Sequence, residues 1–133
     1  MASKQVFLGL DVGTKRIGVA LGDSVSRIAQ PLPTVNAEES GKIQDCLREY
    51  EVTDVVVGRP RNQAGDVTAQ TALVEAFIAE VFQAENLPIH WQDESITSVM
   101  AEERLKSSKK PYTKADIDAE AAAIILQDYL ETL

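Results

Sequence analysis

The chain has 133 residues, 44% of them hydrophobic and 26% charged, with a formal net charge of −8. That size and composition suit one folded domain over residues 1–133 and exclude a disordered chain. The acidic balance argues against a general nucleic-acid-coating protein, although local charge, not net charge, decides docking. No apolar run approaches membrane-spanning length, and Met1-Ala2-Ser3-Lys4 leads straight into a strand-like run, unlike a signal peptide. Cys46 is the only cysteine, which excludes an internal disulfide and fits a reducing cytoplasm. It shares helical spacing with Ile43, Leu47 and Tyr50 and reads as a small buried hydrophobe in preference to a reactive thiol.

In chain order, Gln5 to Asp11 is apolar at both parities, as in a strand buried on both faces. Gly13 supplies a turn, Arg16 to Gly22 reads as a second strand and Arg27 to Val35 as a third. Pro31 and Pro33 place that third strand at a sheet edge. The pattern predicts a helix over 38–51 capped by Asn36, a buried strand over Thr53 to Gly58, and a loop from Arg59 to Asp66. A long amphipathic helix is expected from about 67 to 86, with Leu73, Phe77 and Val81 inward. Pro88 to Gln92 reads as the last strand, ending at Asp93-Glu94. A helix near 97–106, a polar loop over 107–113 and an alanine-rich helix over 114–131 complete the pattern. Five strands with interspersed helices imply an α/β fold, a mixed five-stranded sheet flanked by helices.

Three carboxylates stand at element junctions: Asp11 at the end of the first strand, Glu94 at the end of the last, and Asp118 in the first turns of the final helix. Ala119, Ala121, Ala122 and Ala123 would let that helix lie close to the sheet. If the first and last strands are parallel neighbours, their carboxyl ends meet where α/β sheets place ligands. Such a cluster suits Mg²⁺ or Mn²⁺, which take carboxylate oxygens and phosphate. One or two ions there would serve phosphodiester hydrolysis. Each acid taken singly has an ordinary structural use: a turn for Asp11, surface charge for Glu94, a helix amino end for Asp118. Asp93 and Glu94 point to opposite faces of a strand, so only one can enter a shared site. Asp116, two residues before Asp118, reads as a cap or a secondary contact.

Nine of the thirteen Lys and Arg residues fall in a few turns and loops. Lys15 and Arg16 follow the first acid and are placed to touch phosphate, or are plain hairpin charges. Arg59 and Arg61 flank a proline and suggest a backbone clamp. Lys109, Lys110 and Tyr112 lie in a basic segment that would track a nucleic-acid strand, with Tyr112 stacking on a base, or would serve as a connector. His90 is the sole histidine, and no His/Cys cluster supports zinc.

Four segments in order resemble the YqgF (RuvX) family over nearly the whole chain. They are Asp11-Val12-Gly13-Thr14-Lys15-Arg16-Ile17-Gly18-Val19-Ala20, the strand and loop from Val56 to Gly65, the pair Asp93-Glu94, and Ile117-Asp118-Ala119-Glu120-Ala121-Ala122. The resemblance implies an RNase H-like fold. It implies a metal-dependent nuclease with Asp11, Glu94 and Asp118 as catalytic, metal-binding acids. It points to structured RNA as substrate, with maturation of the 5′ end of pre-16S rRNA as the task. Branched DNA, cut by a resolvase-like dimer, is the alternative, and a non-catalytic ribosome-assembly factor is another. A cytoplasmic monomer or homodimer is expected, with no membrane partner. The family carries Arg after the Asp-Glu pair, where this chain has Ser95, and leucine where it has Arg59. Arg59 and Arg61 are therefore candidates to replace the missing charge.

Overall fold

The computed structural model describes residues 4–60, 68–94 and 97–133. The chain runs β1 (Val6–Val12), β2 (Arg16–Asp23), β3 (Gln30–Asn36), α1 (Gly41–Glu49), β4 (Asp54–Pro60), α2 (Ala69–Val81), β5 (Ile89–Glu94), α3 (Thr97–Ser107) and α4 (Lys114–Leu130). The five strands lie in the order β3-β2-β1-β4-β5. β1, β2 and β3 form an antiparallel meander, while β4 and β5 add parallel to β1. β3 is an edge strand, where its prolines remove no ladder bond from a second neighbour.

The strand period divides the core in two. Leu8, Leu10, Val12, Val55 and Val57 face α1 and α2, meeting Ile43, Leu47, Val74 and Ile78. Phe7, Ala20 and Val56 face α4, meeting Ala122, Ile125, Leu126 and Leu130. α4 lies unusually close to the sheet. A Cβ at Gly9 would stand 2.8 Å from the Cβ of Leu126, and one at Gly18 would overlap the carbonyl of Asp118. The start of α4 is also tied to the edge strand, where the Thr34 hydroxyl donates to the Ala115 carbonyl at 2.7 Å. Ile125, Leu126 and Leu130 are at most 1% exposed, each contributing about 2 kcal/mol of burial. Packing supplies most of the docking energy of this helix, and polar contacts from Thr34 and Gln127 add to it.

Four details differ from the sequence pattern. The first and last strands are parallel but not neighbours, because the crossover through α1 inserts β4 between β1 and β5. The expected helix over 38–51 is a 3-10 turn (Ala37–Glu39) followed by α1. Asn36 precedes that turn without a side-chain cap bond to its backbone; its amide donates to Glu39 instead. α2 is shorter than expected, starting after a Thr68/Thr71 capping box and ending before Phe82. Its inward face is also rotated. The Thr71 hydroxyl donates to the Pro60 carbonyl at 2.5 Å, and Thr71, Val74 and Ile78 are buried. Leu73, about 100° around the helix from Val74, is 61% exposed. Finally, β4 runs on through Pro60, so Arg59 belongs to a strand and not to a loop. Cys46 is half-buried against the first core, where burial, with Glu49 and Asp45 nearby, pushes its thiol pKa up and away from reactivity.

At the amino end of the parallel strands sits a buried polar cluster. Asp54, 5% exposed, accepts from the Thr53 hydroxyl at 2.6 Å and lies 2.8 Å from Nε2 of His90. His90 in turn stacks on Tyr129 of α4, centroids 5.0 Å apart. Burial alone would raise the Asp54 pKa, but the combined bonds from Thr53, His90 and Gln5 hold it below the ordinary 3.8. A depressed carboxyl stabilises the fold above its unfolded pKa and loses that contribution as pH falls through the folded value.

Gly18→Ala should cost about 1–3 kcal/mol, read as a lower urea midpoint. Gly41→Ala, whose added Cβ meets nothing within 4 Å, should leave the midpoint unchanged or slightly raised. Asp54→Asn should lower stability at pH 7, and its difference from the parent should shrink as pH drops below 3.8, measured by denaturation at both pH values.

Candidate active site

The first acidic motif ends β1 and turns at once into β2. Gly13 donates its N–H to the Arg16 carbonyl at 2.9 Å, closing a tight hairpin that exposes Lys15. The register pairs Asp11 with Gly18, and antiparallel partners present the same face of the sheet with Cα atoms about 5 Å apart. Gly18 is the residue on which the Asp118 backbone rests. Asp11 and Asp118, 107 positions apart by their residue numbers, therefore occupy one corner under the first turns of α4. Both are half-buried.

β5 supplies the third acid position. Pairing runs Gly58 to Gln92 and Pro60 to Glu94. With Leu10 opposite Val57, this parity assigns position 94 to the sheet face of Asp11 and position 93 to the opposite one. Of position 94 the described part is its backbone. With β4 between them, β1 and β5 lie two strand spacings apart, about 9.6 Å. Position 94 also sits about two residues further along its strand than Asp11. An aspartate, a glutamate and a divalent ion with oxygen ligands near 2.1 Å together suit such a gap. Among the described residues the donors of this corner are the carboxylates of Asp11 and Asp118, oxygen ligands that suit a hard cation.

The bases divide. Arg16 shares the parity of Gly18 on β2, and its Nε donates to Oδ2 of Asp118 at 2.6 Å. Sequence spacing alone gave no sign of this pair. Arg59 is not with the acids. Its guanidinium lies 4.7 Å over the Trp91 ring, and its Nε is 3.5 Å from Glu75, an ion-pair separation beyond a good hydrogen bond. Both partners belong to the α2 side of the sheet, the face away from Asp11 and Asp118. Arg61 and Ser95 lie outside the described residues. Lys109, with a positive φ of 59°, and Lys110 are exposed on the turn between α3 and α4. Lys110 and Tyr112 line a groove of about 410 Å³ together with Pro33, Asp116 and Ala119. Tyr112 is half-buried, and its hydroxyl lies 3.3 Å from Oε2 of Glu102. Asp116 closes a capping box with Thr113, its carboxylate accepting from the Thr113 N–H at 2.8 Å. His90 belongs to the Asp54 cluster, at the opposite end of the parallel strands from Asp11.

A family model described as "RuvX: Holliday junction resolvase" matches residues 5–132. A protein of Chloroflexus aurantiacus named "Putative pre-16S rRNA nuclease" is 42% identical, over 96% of this chain and 87% of its own length. One of the same name from Synechocystis is 39% identical over 98% and 90%. Among solved structures, Thermus thermophilus RuvC in complex with a Holliday junction substrate superposes with a TM-score of 0.54 at 15% identity, covering 96% of this chain and 94% of that one. The fowlpox virus resolvase bound to Holliday junction DNA gives 0.55 at 13% identity, covering 96% and 98%. At such identities the likeness speaks for fold alone, and that fold is RNase H-like.

The placement of Arg59 yields its own prediction. Arg59→Gln should lower stability by about 0.5–2 kcal/mol through loss of the ring and carboxylate contacts. It should leave affinity for an RNA hairpin within about twofold, roughly 0.4 kcal/mol, as measured by fluorescence anisotropy.

Proposed function

The chain belongs to the RuvX family, a family of nucleases, and on that premise we propose that it is a metal-dependent phosphodiesterase acting on structured RNA. The task proposed is maturation of the 5′ end of pre-16S rRNA, as the names of its relatives suggest. The observation that supports the site most is the stacking of Asp118 onto Gly18, the register partner of Asp11. Residues 1–133 are taken as one nuclease unit working in the cytoplasm.

Asp11, Glu94 and Asp118 are the proposed catalytic acids and the holders of Mg²⁺ or Mn²⁺. When bound, one or two such ions would polarise the scissile phosphate and lower the pKa of an attacking water. The chain's own acids orient that centre, and a rigid strand end and helix start fix their separation. Their charge needs opposite charge nearby if a polyanion is to approach. Lys15 and Arg16 stand on the hairpin beside Asp11. Lys110 and Tyr112 line the groove just before the start of α4, and Lys109 is exposed on the same turn. These residues are proposed to contact the backbone and, for Tyr112, a base. Arg61 belongs to the same proposal by its motif, while Arg59 is withdrawn from it.

The family description favours a second substrate, branched DNA. Incubating the protein with pre-16S rRNA fragments and with four-way DNA junctions, each with Mn²⁺, separates the two. Cleavage of the RNA is expected; cleavage of junctions alone would replace that substrate.

Asp11→Asn, Glu94→Gln and Asp118→Asn should each reduce cleavage by at least about a thousandfold, roughly 4 kcal/mol of transition-state stabilisation. Their circular dichroism spectra should remain unchanged. Parent-level cleavage in any one of them would remove that acid from the centre.

A further inference from the structure

Resting on that reading, we propose that Arg16 is a built-in counter-ion that occupies the Asp118 carboxylate before a divalent cation arrives and yields it when one binds. The guanidinium reaches Asp118 because positions 16 and 18 share a face of β2 and the Asp118 backbone lies on Gly18. The contact is short, 2.6 Å, and charge-assisted. It is also half-sheltered, the two side chains being 31% and 27% exposed.

An oxygen that accepts from a guanidinium does not offer the same lone pair to a cation, and the fixed positive charge repels any ion approaching along that side. A cation that takes Oδ2 of Asp118 must therefore displace Arg16, and one that takes Oδ1 alone must bind against the guanidinium charge. The side chain is long and partly solvated, so it has somewhere to go without disturbing the strand that bears it. Once released, its planar fork remains over the same corner, next to the hairpin that carries Lys15. There it can meet a phosphate with two parallel donors. The pair thus keeps two neighbouring carboxylates from repelling one another when the cation is absent, and it links cation entry to the freeing of an anion-binding group.

The test is calorimetric titration of Mn²⁺ alone into the full chain and into Arg16→Gln, Arg16→Lys and Asp118→Asn. Arg16→Gln should bind Mn²⁺ about three- to tenfold more tightly than the parent, the scale of a partly exposed ion pair. Arg16→Lys, which keeps the charge, should bind more weakly than Arg16→Gln. In a thermal melt, Mn²⁺ should raise the Tm of Arg16→Gln more than that of the parent. Asp118→Asn should bind much more weakly than the parent; parent-like affinity there would overturn the metal site itself. Loss of binding in Asp118→Asn, with equal or weaker binding in Arg16→Gln, would leave the site standing and overturn the counter-ion. Should Arg16→Gln fail to fold, the Lys variant decides, because an affinity below the parent's would show that Arg16 holds Asp118 for the cation and does not compete with it.

Discussion

The close contact between α4 and the glycines of β1 and β2 is the constraint on which the rest of the structure depends. A helix normally stands off a sheet by the thickness of its side chains. Here Gly9 and Gly18 remove the side chains from below, and Ala119, Ala122 and Ala123 are small from above. The backbone of α4 consequently reaches the sheet at Asp118, above Gly18, the register partner of Asp11. Several fully buried aliphatic side chains, each worth about 2 kcal/mol, drive that docking. The single Arg16–Asp118 pair, about 1 kcal/mol when half-exposed, can open without undocking the helix. That difference in magnitude separates the rigid part of the corner from its adjustable part.

The sheet topology serves the same end. β1, β4 and β5 run parallel, so the carboxyl ends of all three open at one edge of the sheet. The acids use that end, whereas Asp54, His90 and Tyr129 use the other to tie β4, β5 and α4 together. Two polar clusters thus lie on one face of the sheet, at opposite ends of its parallel strands. The buried one is closed by its own hydrogen bonds. The half-buried one, Asp11 with Asp118, lies at the carboxyl end of the strands beside the exposed hairpin.

Much of this was legible in the sequence. The order of strands and helices, the edge position of the proline-bearing strand and the capping role of Asp116 follow from local patterns, and the structure has them. The small residues after Asp118 announced a closely packed helix. Long-range facts were not legible. Period-two alternation says nothing about which strand lies beside which, so the insertion of β4 between β1 and β5 could come only from tertiary packing. Leu73 reads as inward because it is apolar, but the hydroxyl of Thr71 sets the rotation of α2 by its bond to Pro60. Arg59 looked like a loop clamp because Gly-Arg-Pro reads as a break; β4 in fact continues, and Trp91 on β5 offers its ring. The Arg16–Asp118 pair joins residues 102 apart, and nothing local marks it.

Anomalous diffraction from crystals soaked in millimolar Mn²⁺ tests the convergence of the acids most directly. One or two peaks with oxygens of Asp11, Glu94 and Asp118 within about 2.0–2.3 Å are the predicted result. Manganese bound elsewhere on the surface, with none at that corner, would contradict it.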